Sequence, residues 1–393
     1  MKRFRQNLSA IALGALGLTV SACGRVGGSQ ATPSATPTPE TIAAQTTAAA
    51  APPADPVLAT GAQAYERYCQ LCHAKDATGY AADNAPSLVS KTFLESATDE
   101  FIAAGIRMGR PGTAMAAYGK VRGGPLDERE ISAIVRFLRS KGPTAKPLQA
   151  AAASGDATRG ATLFTQHCSN CHGTPTTRAN AVHLHNPELL ASATPAFLRH
   201  AIVNGRPPTP MPAFQGKLSE AEVGDIVTWL WQSRPTKPAA PVQNITVPSD
   251  LPLVINPKGA HPRFTLRDER YVSAEQVRKA LAAKQRLVII DARPPSDWIQ
   301  FHIPGAVPIP YHDKSQLERV PNDGTWVVAY CACPHHASGE VVDALRRKGY
   351  KNTAVLDEGI LFWRDRGFPL AGEAVAKPSG SAAPKPPAKP SAP

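Results

Sequence analysis

Two short segments of the chain share one arrangement of two cysteines and a histidine. They run from Cys69 to His73 and from Cys168 to His172, and both read C-x-x-C-H. The two thiols of such a segment lie about one helical turn apart, which suits their addition to the two vinyl groups of a haem. The histidine that follows is then placed to bind the haem iron. The sequence therefore predicts two covalently attached haem c groups.

Each segment lies inside the same larger pattern, which is an internal repeat. Residues 101–118 and 197–214 align without a gap at an offset of 96 positions. In this alignment Met115 matches Met211, whereas Met108 matches Asn204. The repeat therefore selects Met115 over Met108 as the distal iron ligand of the first haem.

Helices are predicted on both sides of each segment. Ser219 with Glu222, and Asp127 with Glu130, form capping boxes, and each box precedes a run of apolar residues at helical spacing. This order of elements resembles the small class I cytochrome c domain, over about residues 57–142 and 155–235.

The resemblance implies an all-α fold for both regions and assigns the functional residues of the family. The thioether cysteines, proximal histidine and distal methionine carry over onto two sets, Cys69, Cys72, His73 and Met115, and Cys168, Cys171, His172 and Met211. In this family a proline after the haem motif usually holds the proximal imidazole through its carbonyl group. Pro86 and Pro187 are the candidates.

These cysteines and methionines are also compatible with roles that involve no haem. The four cysteines could form a Cys₄ zinc site, although structural zinc sites usually place their two halves far closer than Cys72 and Cys168. Two disulfides in an oxidising compartment would leave the adjacent histidines without a role. Met115 and Met211 could each fill a gap in a core, since methionine packs well in irregular spaces.

The start of the chain is predicted to be an export signal. Basic residues precede a short apolar run that ends at Cys23, and the run is too short to span a membrane. Its end resembles the lipobox of bacterial lipoproteins, which implies that residues 1–22 are removed and that Cys23 is acylated. An ordinary cleavage site after Ala22 is the alternative. Residues 23–56 are rich in Ala, Thr, Pro and Ser and are predicted to form a disordered tether.

A third domain follows two linkers of similar composition, residues 143–154 and 236–262, which alone would permit the domains to move independently. Apolar runs at 286–291 and 326–331 are typical of parallel strands that are buried on both faces. A predicted helix follows the second run. The pattern indicates an α/β domain over residues 263–371, with a disordered tail at 372–393.

Two motifs of this domain resemble those of the rhodanese family. Residues 291–306 match its first signature and residues 356–369 match its C-terminal one. The family's nucleophile follows the central strand, which places it at Cys331. A helix N-terminus that points at this sulfur would lower the pKa of the thiol, and sulfane sulfur transferred to it would give a persulfide.

The loop after this strand departs from the common rhodanese pattern. It contains Cys331, Cys333, His335 and His336 but neither the usual Gly nor an Arg, which makes phosphatase activity improbable. Three interpretations stay open. The loop is a sulfurtransferase site in which Cys333 resolves or shares the persulfide, an easily reduced redox pair, or a copper or zinc site. A non-catalytic docking module is a further alternative.

The sequence therefore predicts an exported dihaem cytochrome that carries single electrons, held by a lipid at Cys23 on the periplasmic side of a bacterial membrane. The rival prediction is a sulfur-handling enzyme in which Cys331 receives sulfane sulfur and the haems accept electrons. The formal net charge of +12 favours redox partners with acidic surfaces or a membrane surface. No motif supports binding to nucleic acid.

Overall fold

The computed structural model describes residues 55–149, 153–236 and 247–376. The predicted signal segment, Cys23 and most of the tether lie outside the described residues, as does the chain from residue 377 onward. Among the described residues, none of the helices combines the length and the apolar character needed to cross a bilayer.

The first region is helical and contains the first C-x-x-C-H segment. Its helices are α1 (Pro56–Tyr68), α2 (Gln70–His73), α3 (Lys91–Ser96), α4 (Asp99–Met108) and α5 (Glu128–Arg139). The second region repeats this order with α6 (Ala157–His167), α7 (Ser169–His172), α8 (Pro187–Ser192), α9 (Pro195–Asn204) and α10 (Glu220–Gln232). Both predicted capping boxes are present, at the N-termini of α5 and α10.

The first and last helices of each region cross in close contact at a glycine. A Cβ atom on Gly61 of α1 would lie 2.0 Å from the carbonyl oxygen of Ala133 in α5. A Cβ atom on Gly160 of α6 would lie 2.1 Å from that of Asp225 in α10. Only glycine permits this approach, which holds the end of the first helix, and with it the C-x-x-C-H segment, against the domain core.

The third region is α/β. Its strands are β1 (Tyr271–Val272), β2 (Leu287–Asp291), β3 (Val307–Pro308), β4 (Trp326–Tyr330) and β5 (Thr353–Leu356), and they form a parallel sheet in the order β1-β5-β4-β2-β3. The surrounding helices are α11 (Ala274–Ala282), α12 (Pro295–Gln300), α13 (His336–Arg347), α14 (Gly359–Asp365) and α15 (Glu373–Ala376). Every residue of β2 is buried, which accounts for its continuous apolar sequence. Two all-α regions followed by a parallel α/β domain confirm the predicted fold class.

The two helical regions pack together with approximate twofold symmetry. Phe101 and Phe197 are equivalent in the repeat, and their ring centroids lie 4.4 Å apart between the regions. The Thr92 hydroxyl donates to the Gly205 carbonyl oxygen at 2.8 Å. The Asn186 side-chain amide donates to the Pro111 carbonyl oxygen at 2.9 Å. Contacts of α3 with α9 and of α4 with α8 exchange equivalent helices, as such symmetry requires.

The α/β domain packs on the first helical region. The Ser296 hydroxyl donates to the Ala117 carbonyl oxygen at 2.5 Å. The Tyr311 hydroxyl donates to the Tyr68 carbonyl oxygen at 2.7 Å and lies 3.2 Å from the Tyr118 hydroxyl. The linkers alone would permit separate movement, but these buried contacts hold the two domains together in the structure.

Replacement of Gly160 by alanine should destabilise the second helical region, because the added methyl group would overlap the Asp225 carbonyl group. Overpacking of this kind costs about 1–3 kcal/mol. Thermal unfolding of the full chain, followed by circular dichroism, measures the loss. Gly224 is the matched control, since it also lies in a helix, α10, and its Cβ would meet nothing nearer than 3.8 Å. Gly224→Ala should be neutral or stabilise by up to about 1 kcal/mol. Equal effects of the two substitutions would contradict the close crossing.

Candidate functional site

In the first helical region, the proximal histidine candidate is held by a backbone carbonyl group. The Nδ1 atom of His73 lies 2.9 Å from the carbonyl oxygen of Pro86, as the sequence predicts. Because a carbonyl oxygen can only accept, Nδ1 must carry the proton, and the lone pair of Nε2 is left for a metal. Burial lowers the pKa of His73, which favours the neutral imidazole that metal binding requires.

In the second region the same role falls to a different residue from the one predicted. The Nδ1 atom of His172 lies 2.7 Å from the carbonyl oxygen of Val182. The prediction of Pro187 is wrong, because Pro187 is the first residue of α8, whose N-cap is Asn186. Val182 lies 96 positions after Pro86, so the repeat offset already identifies it. The segment between the histidine and this carbonyl group is three residues shorter in the second region, which conceals the match.

The four cysteines of the two segments occupy equivalent positions. The backbone N–H groups of Cys69 and Cys168 donate to the carbonyl oxygens of Tyr65 and Phe164, each at 2.8 Å. All four thiols are free. Burial raises the pKa of Cys69 to about 12 and that of Cys168 to about 11, so both are neutral thiols near pH 7. Two cysteines on one helical turn, followed directly by a histidine, suit covalent attachment of a haem.

The two methionine loops also have the same hydrogen bonds. The N–H groups of Arg110 and Arg206 donate to the carbonyl oxygens of Met115 and Met211, at 2.8 and 3.1 Å. A threonine hydroxyl in each loop accepts from the methionine N–H, at 3.1 and 3.3 Å respectively. Met108, by contrast, is the last residue of α4. The structure therefore gives Met115 and Met211 the same backbone environment.

A buried guanidinium group tests whether these regions fit a haem. Arg206 lies 5.1 Å above the ring of Phe197, and its Nη1 donates to the Thr92 carbonyl oxygen at 3.2 Å. Its Nη2 atom is buried and has no hydrogen-bond partner among the described residues. Burial lowers the pKa of Arg206 to about 10. A buried cation needs an anion, and the carboxylates of a haem would supply it, so the residues fit the group.

The predicted nucleophile of the α/β domain lies directly after the central strand β4. Cys331 is 1 % exposed, and its Sγ donates to the Cys333 carbonyl oxygen and lies 3.2 Å from the Ser338 hydroxyl. Burial, together with the contact to Cys333, raises the pKa of Cys331 well above its usual value. The expectation of a lowered pKa is therefore wrong for this arrangement, because desolvation outweighs the effect of the α13 N-terminus.

The two histidines of this loop point away from the sulfur atoms. His335 Nε2 lies 2.9 Å from an Asp357 carboxylate oxygen, and its ring packs on Tyr271 at 4.1 Å. His336 is exposed, with its Nδ1 3.1 Å from the Pro334 carbonyl oxygen. Within the described residues no group of three or more His, Cys, Asp or Glu side chains could hold a metal ion. The structure does not support the copper or zinc interpretation.

Instead, the loop brings three sulfur atoms together across the domain interface. Cys331 and Cys333 belong to one buried apolar cluster, and Cys72 of the first helical region packs against that cluster. The hydrogen bond with Cys331 lowers the pKa of Cys333, but the contact with Cys72 and burial outweigh it and raise this pKa to about 12. Cys331, Cys333 and Cys72 are therefore neighbours at the domain interface, and these three cysteines are here called the sulfur row.

The sequence did not predict the surroundings of two pairs of residues, the arginines Arg110 and Arg206 and the cysteines Cys72 and Cys333. Arg110 and Arg206 are equivalent in the repeat, yet only the structure shows that burial lowers the pKa of each to about 10 and that Arg206 Nη2 has no partner among the described residues. Cys72 and Cys333 are far apart in the chain, and no periodicity or motif links them. The arginines could have been found in the sequence, because a charged residue is retained at the same position of both repeats. The two cysteines have no such signal.

Comparisons with known proteins agree with this geometry. Residues 56–138 and 155–230 match the family model described as "Cytochrome C oxidase, cbb3-type, subunit III", and residues 273–366 match that of the rhodanese-like domain.

Three curated proteins are similar to parts of the chain. The dihydro-heme d1 dehydrogenase of Pseudomonas aeruginosa is 34% identical over 117 residues, which are 30% of this chain and 23% of that protein. The cbb3-type cytochrome c oxidase subunit CcoP of an Azospirillum species is 27% identical over 191 residues, 44% of this chain and 61% of that protein. A sulfurtransferase of Allochromatium vinosum is 28% identical over 100 residues, 25% of this chain and 92% of that protein.

The chain thus spans less than two thirds of the length of the first two relatives. The matched segments nevertheless coincide with the two helical regions and with the parallel α/β domain. The chain therefore contains two cytochrome c domains of the cbb3-type subunit III family model and a C-terminal rhodanese-like domain.

Proposed function

We propose that the protein carries single electrons through two haem c groups, one in each cytochrome c domain. Cytochrome c domains hold covalently bound haem c and exchange electrons with redox partner proteins. The number two is supported by the equivalence of the domains. Both have a carbonyl-bound histidine after C-x-x-C and the same pair of hydrogen bonds in the methionine loop.

In this proposal the protein side chains attach, orient and enclose the cofactor, which supplies one-electron chemistry at its iron. Cys69 and Cys72, or Cys168 and Cys171, would form the thioether bonds. His73 and His172 would bind the iron through Nε2, since Nδ1 is occupied by a backbone carbonyl group. Met115 and Met211 would complete the coordination and leave no open position for a substrate. Ligation by His and Met favours the reduced iron and a high potential.

Replacement of Met211 by alanine should open one of the two irons to external ligands. About half of the haem should then bind carbon monoxide in the reduced protein, as seen in the visible absorption spectrum, whereas the wild type should bind almost none. Met108→Leu is the matched control, and its spectrum should not change, because Met108 ends α4 outside the methionine loop. A Met211→Ala protein with the wild-type spectrum would remove the assignment.

The protein is also proposed to act outside the cytoplasmic membrane, anchored on the periplasmic side by a lipid on Cys23. The apolar start of the chain and its ending at Val20-Ser-Ala-Cys23 support an exported lipoprotein. The formal net charge of +12, reduced by the carboxylates of the haems, supports partners with acidic surfaces or an anionic membrane surface.

Metabolic labelling tests the anchor. Radioactive palmitate should appear in the wild-type protein and be absent from Cys23→Ala, which should also move from the membrane fraction to the soluble fraction. Label retained in the variant would show that a residue other than Cys23 is acylated and would overturn this anchor.

A second function is favoured by the position of Cys331 at the end of the central strand of a rhodanese-like domain. Here the Cys331 thiolate would attack the sulfane sulfur of thiosulfate, form a persulfide and release sulfite. A nucleophile such as cyanide would then take up that sulfur and regenerate the thiolate. The alternative is a rhodanese-like domain that acts only as a redox or docking module, which the burial of Cys331 supports.

Thiocyanate formation separates these two alternatives. With thiosulfate and cyanide, an active sulfurtransferase should produce thiocyanate, and Cys331→Ala should lose at least about 100-fold of the rate, as expected when a covalent nucleophile is removed. His336→Ala should retain the wild-type rate, because this side chain is exposed and points away from Cys331. A wild-type protein without thiocyanate formation would favour the redox or docking module.

A further inference from the structure

We propose that Cys331 and Cys333 form a dithiol–disulfide couple that passes its electrons into the first cytochrome domain at Cys72. The inference rests on the proposed function, because it requires haem c on the segment Cys69 to His73. It differs from sulfur transfer in that no sulfur atom leaves the loop. It also assigns an order to the domains, with the first one receiving the electrons from the loop.

The sulfur row carries this proposal. Cys331 and Cys333 lie in one buried cluster against which Cys72 packs, and Cys72 is the cysteine next to the proximal histidine candidate. In the haem-loaded protein, the Cys72 sulfur would be bonded directly to the edge of the cofactor. An electron that leaves the loop would therefore cross the packed interface between the loop and Cys72 to reach the cofactor.

The residues around the sulfur row shield it from solvent. Cys331 is 1 % exposed and Cys333 is 5 % exposed. The hydrogen bonds of Ser296 with Ala117 and of Tyr311 with Tyr68 hold the first cytochrome domain over the loop. Ala82 of that domain packs in the same apolar cluster as both loop cysteines. A buried thiol in contact with another domain suits electron exchange with that domain better than sulfur exchange with a soluble anion.

The chemistry of the couple is balanced. Cys331 and Cys333 together lose two protons and two electrons, and one S–S bond forms between them. The electrons leave singly, and the two haem irons accept one each. The two electrons of one dithiol therefore reduce both irons of one chain. A disulfide between cysteines separated by one residue closes a strained ring, which raises its reduction potential. A dithiol–disulfide couple with a high reduction potential needs electron acceptors whose reduction potentials are also high. Haem irons with His and Met ligands meet this requirement.

An oxidative titration tests the proposal on the haem-loaded full chain. The protein is reduced with dithiothreitol, desalted without oxygen and titrated with cobalt(III) tris-phenanthroline, a one-electron oxidant. The wild type should consume about four equivalents per chain, two from the irons and two from the dithiol. Cys331→Ser and Cys333→Ser should each consume about two. Alkylation after unfolding, followed by mass spectrometry, should find the Cys331–Cys333 disulfide in the oxidised wild type.

Two controls make the result specific. Ala332→Ser places a hydroxyl between the cysteines without removing sulfur and should still consume about four equivalents. Ser296→Asp would set a carboxylate against the Ala117 carbonyl oxygen and weaken the domain contact, while an acidic residue suits the first turn of α12. In this variant the disulfide should form at least about tenfold more slowly, with unchanged oxidation of the irons.

The contrary outcomes are distinguishable. A wild type that consumes about two equivalents, with both thiols alkylated, would overturn the inference and leave the dihaem function intact. Disulfide formation at the wild-type rate in Ser296→Asp would overturn the route through Cys72. Fewer than two equivalents, together with a haem absorbance below that of two groups per chain, would overturn the dihaem proposal and this inference with it.

Discussion

The close crossing of the first and last helices in each cytochrome domain is the contact on which the site geometry depends. Gly61 and Gly160 allow two helix backbones to meet where any side chain would hold them apart. Each crossing fixes the end of the first helix, and the C-x-x-C-H turn follows directly from that end. The histidine ring then has one orientation in which its Nδ1 reaches a carbonyl group on the opposite segment. Haem attachment thus depends on a contact at some distance from the cysteines.

Most of the fold could be predicted from local patterns in the sequence. The capping boxes, the apolar strands and the repeat offset depend on neighbouring residues, so the sequence shows them directly. The assignment of Pro187 failed because a three-residue difference in length hid the true equivalence of Pro86 and Val182. The lowered pKa expected for Cys331 failed for a different reason. Burial raises this pKa, and the packing of Ala82 and Cys72 of another domain around its cluster leaves no periodic signal in the sequence.

The contact between domains also changes how the rhodanese-like loop should be understood. Fold and strand position alone suggest a sulfurtransferase with an exposed, activated thiolate. Here the thiol is buried, its pKa is raised, and the nearest groups outside its own domain belong to the first cytochrome domain. A thiol in this position is shielded from a soluble sulfur donor, whereas the first cytochrome domain packs against the cluster that contains it.

The repeat makes the cytochrome domains near copies, and their packing through Phe101 and Phe197 resembles a homodimer built into one chain. The α/β domain breaks that symmetry. Ala116 and Ala117, beside the first methionine, are buried, whereas Pro212 and Ala213, beside the second, are exposed. Cys171 is likewise exposed, and its counterpart Cys72 is not. The two ends of the pair are therefore unlike, since the surface beside the first methionine is enclosed within the chain and the matching surface of the second domain is open to solvent.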